Sequence, residues 1–343
     1  MEALRILEKI CTASYEPIKD SDTHKVISEL ISPYCEKIET DALGNLICTV
    51  TSEGERSIVL SAHLDKISLI VTDIDKATGM LKLARVGGVD MRTLTAQRVK
   101  VLGKRVIPGC ITSTPPHLTT GDRSKTPDIS TLFVDTGLSF SEVSEIVSVG
   151  DLVQYDSPVT GLLGTRLAGA YMDNAAGCTA VINAVRKLKE NGTRNKITAV
   201  FTTREETGKG GAQAVFTRLQ PDAAIITDVS FGEYPGIPKE CTSPLSSGAM
   251  ICISPILQYG VSHRLIDIAE SNGIPFTTEI MGARTMTDSD VAVTAGKGIL
   301  TGLISIPLIN MHTPVETLDM KDVDAVSEIM YHFAGEGLLC SDM

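Results

Sequence analysis

Apolar positions along this chain fall into two alternating styles. From residue 165 onward, short apolar or β-branched runs (VFTTR, AAIITD, PFTTEI, LISIP) alternate with longer amphipathic stretches (AAGCTAVINAVRKLKENG, SHRLIDIAESNG, KDVDAVSEIMYHFAGEG). The short runs predict strands and the long ones helices. Strands separated by helices of this length predict a largely parallel sheet with helices on both faces. Residues 1–62 add to the same body, with an amphipathic first helix in MEALRILEKI, a second in KVISELISPYCEKI, and strands in DALGNLICTV and RSIVLSAH.

Residues 66–164 read differently. KISLIVTDID, MLKLARV, RVKVLG and DLVQYD are short β-like runs broken by Gly and Pro, with one helix predicted around SFSEVSEIVSVG. The expectation is an α/β catalytic domain built from residues 1–65 and 165–343, interrupted by a small β-rich domain over 66–164. The polar stretch GDRSKTPD, near position 121, predicts a mobile loop. A length of 343 residues also exceeds what one hydrophobic core usually serves.

Composition narrows the class. Hydrophobic residues at 43% and charged residues at 21% are those of a soluble enzyme, and a net charge of −11 argues against a nucleic-acid surface. No run approaches the roughly 18 apolar residues needed to cross a bilayer, and the acidic start with Glu2 and Glu8 reads as a helix rather than a signal peptide. Cys11, Cys35, Cys48, Cys110, Cys178, Cys241, Cys252 and Cys340 are widely spaced and form no Cys-x-x-Cys pair. They predict free thiols in a reducing cytoplasm.

The candidate chemistry lies where apolar runs end: His63 and Asp65 in LSAHLD, Asp173 in YMDNAAG, Glu205 and Glu206 in TTREETG, Asp228 in IITDVS, and His312 in INMHTP. Open α/β sheets place ligands at the carboxyl ends of their strands. Two imidazoles and several carboxylates there suit a pair of hydrolytic metal ions, with zinc, cobalt or manganese favoured by nitrogen and oxygen ligation. Residues 63 and 65 share a strand face, so Asp65 is placed to orient the His63 ring. Asp173 precedes a helix, where an aspartate either caps the helix or bridges two cations. The glutamate pair at a strand-to-turn junction offers one carboxylate as ligand and one as base. A water acidified by metal, from about 15.7 to about 7, needs such a base. Each residue has a plain structural explanation taken alone, but all of them mark strand ends of one domain. His24, His117, His263 and His332 have no such setting and read as surface or packing residues.

HLDKISLIV, YMDNAAGC, FTTREETGKGGA, ITDVS and IPLINMHTPVETLDMKDV resemble the signature segments of the tetrahedral aminopeptidases, two-metal cytoplasmic peptidases that include glutamyl aminopeptidases. RVGGVDMRTLTAQRVKVLGK, GCITSTPPHL and LFVDTGLSFSEVSEIVSVGD are similar to that family's dimerisation domain, so the resemblance spans nearly the whole chain. It implies that His63 and Asp228 hold one metal, Glu206 and His312 the other, and that Asp173 bridges them. Glu205 is then the general base and Asp65 the residue that orients His63. It further implies short peptide substrates, dimers through the inserted domain, and dodecamers. Three departures concern substrate preference: Asp173-Asn174-Ala175 lacks the family's arginine, Thr285-Met286-Thr287-Asp288 replaces Gly-Gly-Thr-Asp, and the early Gly-rich turn is reduced to ASYEP.

The expected activity is removal of N-terminal residues from short peptides, through water activated by two metals and a glutamate base. Two other readings compete. A carboxylate pair can cleave a glycosidic bond without metal, as in an endoglucanase, but that leaves both strand-end histidines unused, and 4% aromatic residues without Trp offer few sugar platforms. A non-catalytic scaffold on a peptidase fold would be expected to have lost ligands, and none is lost here.

Overall fold

The structure is a computed structural model that describes residues 2–17, 20–115, 117–118 and 125–336. Its main body is an eight-stranded sheet. The strands run, edge to edge, Lys37–Thr40, Leu46–Thr51, Lys196–Thr202, Ser57–His63, Ala223–Phe231, Leu300–Leu308, Ala249–Ile253 and Phe276–Ile280. The four consecutive strands from Lys196–Thr202 to Leu300–Leu308 are all parallel, with antiparallel pairings toward both edges. Parallel register points their carboxyl ends the same way, and the candidate residues come from that end.

Both sheet faces are covered. Alternate residues of the central strands enter two separate cores: Ile58, Leu60, Ile225 and Phe201 face one, and Val59, Ala224, Ile226 and Val200 face the other. That is the two-residue period of a strand buried on both sides. Helices Glu2–Thr12, Asp22–Ile31, Met172–Asn191, Tyr259–Ser271 and Met320–Glu336 supply the first core, and Gly210–Leu219 with Ser289–Ala292 the second. The helix expected through Ile38 stops at Ile31, because Pro33 cannot donate a backbone hydrogen bond and crowds the preceding turn. Residues Lys37–Thr40 form an edge strand instead.

Between Ser68 and Tyr155 the chain closes a six-stranded antiparallel barrel, in the order Ser68–Ile74, Leu81–Val86, Phe133–Asp135, Val106–Ile111, Arg98–Leu102 and Leu152–Tyr155. Closure leaves no sheet edge unpaired. Leu69, Val71, Leu81, Val99, Val101, Val134 and Val153 form a core of its own, separate from the two sheet cores. The predicted helix is Phe140–Ile146, whose start is fixed by a capping box between Ser139 and Glu142. Two barrel strands escape the sequence pattern: Val106–Ile111 carries Pro108 and Gly109 in its middle, and Phe133–Asp135 is three residues long. Residues 121–124 of the expected mobile loop, and Cys340, lie outside the described residues.

Cys11, Cys48, Cys178 and Cys252 are buried free thiols, whereas Cys110 is exposed. Among the described residues no helix is long and apolar enough to cross a membrane.

Candidate active site

His63, Asp65, Asp173, Glu205, Glu206, Asp228 and His312 converge in one cluster at the carboxyl end of the parallel strands. His63 is the last residue of its strand and is almost fully buried. Its Nε2 lies 3.0 Å from Asp173 Oδ1 and 3.5 Å from Asp228 Oδ1. His312 approaches the same aspartate from the other side, with Nε2 3.2 Å from Asp173 Oδ2 and 3.4 Å from Glu206 Oε1. Each oxygen of Asp173 thus faces a different imidazole, and each imidazole lies beside a different second carboxylate. Asp228 sits inside Ala223–Phe231 rather than at its end, since that strand runs three residues further beside Leu300–Leu308.

Local chemistry explains how each group is held. Asp173 does not cap the following helix. Asn174 takes that place, its Oδ1 accepting the Gly177 amide at 2.9 Å while its Nδ2 donates to the Thr227 carbonyl at 2.9 Å. Asp173 keeps both oxygens for the cluster. The Asp65 carboxylate accepts the backbone amides of Glu205 and Glu206, each at 3.1 Å, and lies 3.6 Å from His63 Nδ1. It therefore ties the glutamate pair to the His63 segment, in addition to facing the ring.

Three residues at the site were not singled out from sequence. Glu316, almost fully buried, accepts the amides of Asp173 at 3.1 Å and His312 at 2.8 Å. His312 has φ of 64°, a left-handed conformation rare for a bulky residue, and Glu316 holds it there. Its position four residues after His312 was visible, but nothing in the sequence showed a carboxylate serving backbone amides. Asp288 is buried and accepts from Thr202 Oγ1.

The third is Gly88, in the loop that leaves barrel strand Leu81–Val86. Its carbonyl accepts a hydrogen bond from His312 Nδ1 at 3.0 Å, and a Cβ at this position would stand 2.5 Å from that nitrogen. The loop that follows this barrel strand thereby orients the His312 ring. Gly88→Ala is expected to lower peptidase activity about ten- to a hundredfold, the range for losing an outer partner of a metal-site histidine. Steady-state kinetics beside a thermal melt checks this, and unchanged kinetics in a folded variant contradict it.

The electrostatics are those of carboxylates crowded around two imidazoles. Burial pushes the Glu205 carboxyl up to about 9, Glu316 up to about 8 and Asp288 up to about 7. Burial also opposes charge on Asp173, but hydrogen bonds with His312 and His63 outweigh it and hold its carboxyl well below the usual range. Burial disfavours charge on the imidazoles, yet Asp228 and Asp173 raise His63 well above its ordinary value, and Asp173 and Glu206 raise His312 to about 11. Crowded carboxylates thus draw positive charge onto the two rings. Divalent cations would supply that charge instead and leave the rings neutral as ligands. His63, Asp173 and Glu206 each offer an atom within 4.8 Å of the others'. Glu205 stands apart: its Oε1 is buried without a hydrogen-bond partner, 3.7 Å from Lys209 Nζ, beside a cavity of about 710 Å3.

Fold and site together are those of a hydrolase acting on peptide bonds. The sequence profile of the M42 glutamyl aminopeptidase family matches residues 44–329, and the chain belongs to that family. The lysyl aminopeptidase of Pyrococcus furiosus is 29% identical over 327 residues, covering 93% of this chain and 92% of its own. The TET aminopeptidase of a marine sediment Thaumarchaeota archaeon superposes with a TM-score of 0.91 at 25% identity, over 99% of this chain and 98% of its own. The Pyrococcus horikoshii TET1 peptidase, described as able to assemble into a tetrahedron or a large octahedral shell, gives 0.85 at 28% identity, over 98% and 100%. A Thermotoga maritima protein titled an endoglucanase gives 0.75 at 26% identity, over 96% and 97%.

Proposed function

We propose that this peptidase is a metal-dependent aminopeptidase that removes N-terminal residues from short peptides using two divalent ions, zinc or cobalt first and manganese next. Asp173 carries the proposal, because each of its oxygens faces a separate imidazole, and each of those imidazoles lies beside a different further carboxylate. His63 and Asp228 would hold one ion, His312 and Glu206 the other, and Asp173 both. Bound there, the ions would supply Lewis acidity toward the scissile carbonyl and acidify a water.

The chain's own residues do the rest. Glu205, with a free buried oxygen beside the cavity, takes the proton of the attacking water and returns it to the departing amine. Asp65 fixes the backbone from which both glutamates project, and Glu316 and Gly88 fix His312. The carboxylates around the ions favour a free amino terminus, which accounts for exopeptidase action. The relative titled an endoglucanase supports a second reading as a glycoside hydrolase, in which both histidines would be idle. Aminoacyl anilides, their N-acetylated forms and carboxymethyl cellulose, assayed with and without chelator, test the proposal. Only the free-amine anilides should be cleaved, and only without chelator. Chelator-resistant cellulose cleavage points to the second reading.

The inserted segment 66–164, most of which is the barrel Ser68–Tyr155, is proposed as the association domain, with a dimer as the smallest unit and a dodecamer as the end state. The assembling TET1 peptidase supports this. Light scattering at micromolar concentration should return an oligomer, and a monomer contradicts it.

A further inference from the structure

A second cavity of about 490 Å3 adjoins the one beside the cluster, and the two share Phe231 and Met311 in their walls. It begins next to His312: Met311 precedes that residue, and the Asp90 amide donates to the His312 carbonyl at 3.5 Å. One wall is the short helical turn Met91–Thr93 with Asp90 at its head, in the chain that follows barrel strand Leu81–Val86. The other is the segment leaving sheet strand Ala223–Phe231, which brings Phe231, Tyr234 and Ile237. Phe231 is 57% exposed and Tyr234 42%, so two large rings stand open to water at one cavity, the mark of a surface that a ligand covers. The backbone under them is fixed. The Gly232 amide donates to the Leu308 carbonyl at 2.7 Å, the Ser243 amide to the Phe231 carbonyl at 3.1 Å, and a Cβ on Gly232 would stand 2.8 Å from Ile309. Among the described residues the charged members of the walls are Asp90 and Arg92, and they neutralise each other. Arg92 Nη2 donates to one Asp90 carboxylate oxygen at 2.6 Å and Nε to the other at 3.0 Å.

We propose that this second cavity receives the side chain of the residue that follows the scissile bond, and that Phe231 and Tyr234 make the enzyme favour peptides with a large apolar or aromatic second residue. The inference rests on the aminopeptidase reading above, and it concerns the departing part of the peptide rather than the residue removed. A peptide whose amino terminus lies among the cluster carboxylates must carry its remaining residues away from them, and the second cavity opens beside His312. Phe231 lies three residues beyond Asp228, about 10 Å along the strand. A long side chain on the second residue extends toward that ring, whereas glycine leaves the cavity to water. Neutral, apolar walls favour the transfer of an apolar side chain from water, and edge-on or offset contact with the two rings adds to it for an aromatic one. Because Asp90 and Arg92 are committed to each other, an ionised side chain at this position loses hydration without gaining a partner. The fixed backbone lowers the cost of ordering the wall when the peptide binds.

The test compares kcat/KM, from initial release of the first residue, for dipeptide amides in the wild type and Tyr234→Ser. All share the N-terminal residue whose anilide is cleaved fastest, and they carry Gly, Ala, Leu, Phe or Glu second. The terminal amide removes the carboxylate, so the series varies one side chain alone. In the wild type kcat/KM should rise from Gly through Ala to Leu and Phe, by roughly tenfold to a hundredfold overall, the span for moving a large apolar side chain out of water. Glu should be no better than Gly. Tyr234→Ser should lower the Phe-to-Gly ratio by about two- to tenfold, the worth of one aromatic contact, mainly through KM. Ratios do not depend on the fraction of folded enzyme, so partial instability of the variant leaves the result readable. A flat wild-type series, which a second copy seated on the cavity would also produce, overturns the proposal whether or not the variant folds. A Phe-to-Gly ratio equal in the wild type and Tyr234→Ser overturns it too, and both results leave the aminopeptidase reading in place. A wild type that cleaves no aminoacyl anilide overturns that reading itself.

Discussion

Glu205→Gln is expected to lower turnover by at least about a hundredfold, the low end for a lost general base, with metal content unchanged. The substitution keeps the shape of the side chain but cannot accept a proton. Glu205 is the carboxylate of the pair with an oxygen that, among the described residues, has no hydrogen-bond partner and lies within ion-pair reach of Lys209. Glu206, by contrast, lies 3.4 Å from His312. The two adjacent glutamates therefore stand in different surroundings, Glu206 beside His312 and Glu205 away from it. Elemental analysis beside kinetics separates the assignments. Metal lost together with activity would make Glu205 a ligand and remove it as the base.

Asp173→Ala is expected to deplete both ions and reduce activity to background, whereas His63→Ala and His312→Ala each deplete mainly one. The difference follows from geometry, because Asp173 faces both rings, whereas the Nε2 of each ring faces Asp173 with one further carboxylate. Asp173 is also buried, so removing it leaves His63 and His312 beside fewer counter-charges. Full metal occupancy in the Asp173 variant would take it out of the site.

Much of the architecture was legible because two periods alternate cleanly in the sequence. Strands such as AAIITD and LISIP are buried on both faces and read as unbroken apolar runs, while the helices between them keep an amphipathic stripe. The legible part of the site is the part that lies at strand ends, where a charged residue closes an apolar run. Groups that act through the backbone were not legible. Glu316 serves two amides, Asn174 displaces Asp173 from the capping role, and Gly88 matters through its carbonyl and its missing Cβ. None of these has a signature in residue type or spacing, because each depends on contacts 3 to more than 200 positions away. The same limit applies to the barrel, whose closure rests on strands as short as Phe133–Asp135. Pro33 ends the second helix several residues short of the amphipathic pattern, which continues to Ile38.

Two ions acting together, with Glu205 as base, is the central claim. Wild-type protein stripped with chelator and titrated with zinc, while hydrolysis of a panel of aminoacyl p-nitroanilides and binding stoichiometry are followed together, tests it most directly. The account predicts negligible activity before zinc is added and a plateau at two equivalents per chain. Full activity in the stripped protein, or a plateau at one equivalent, would contradict it.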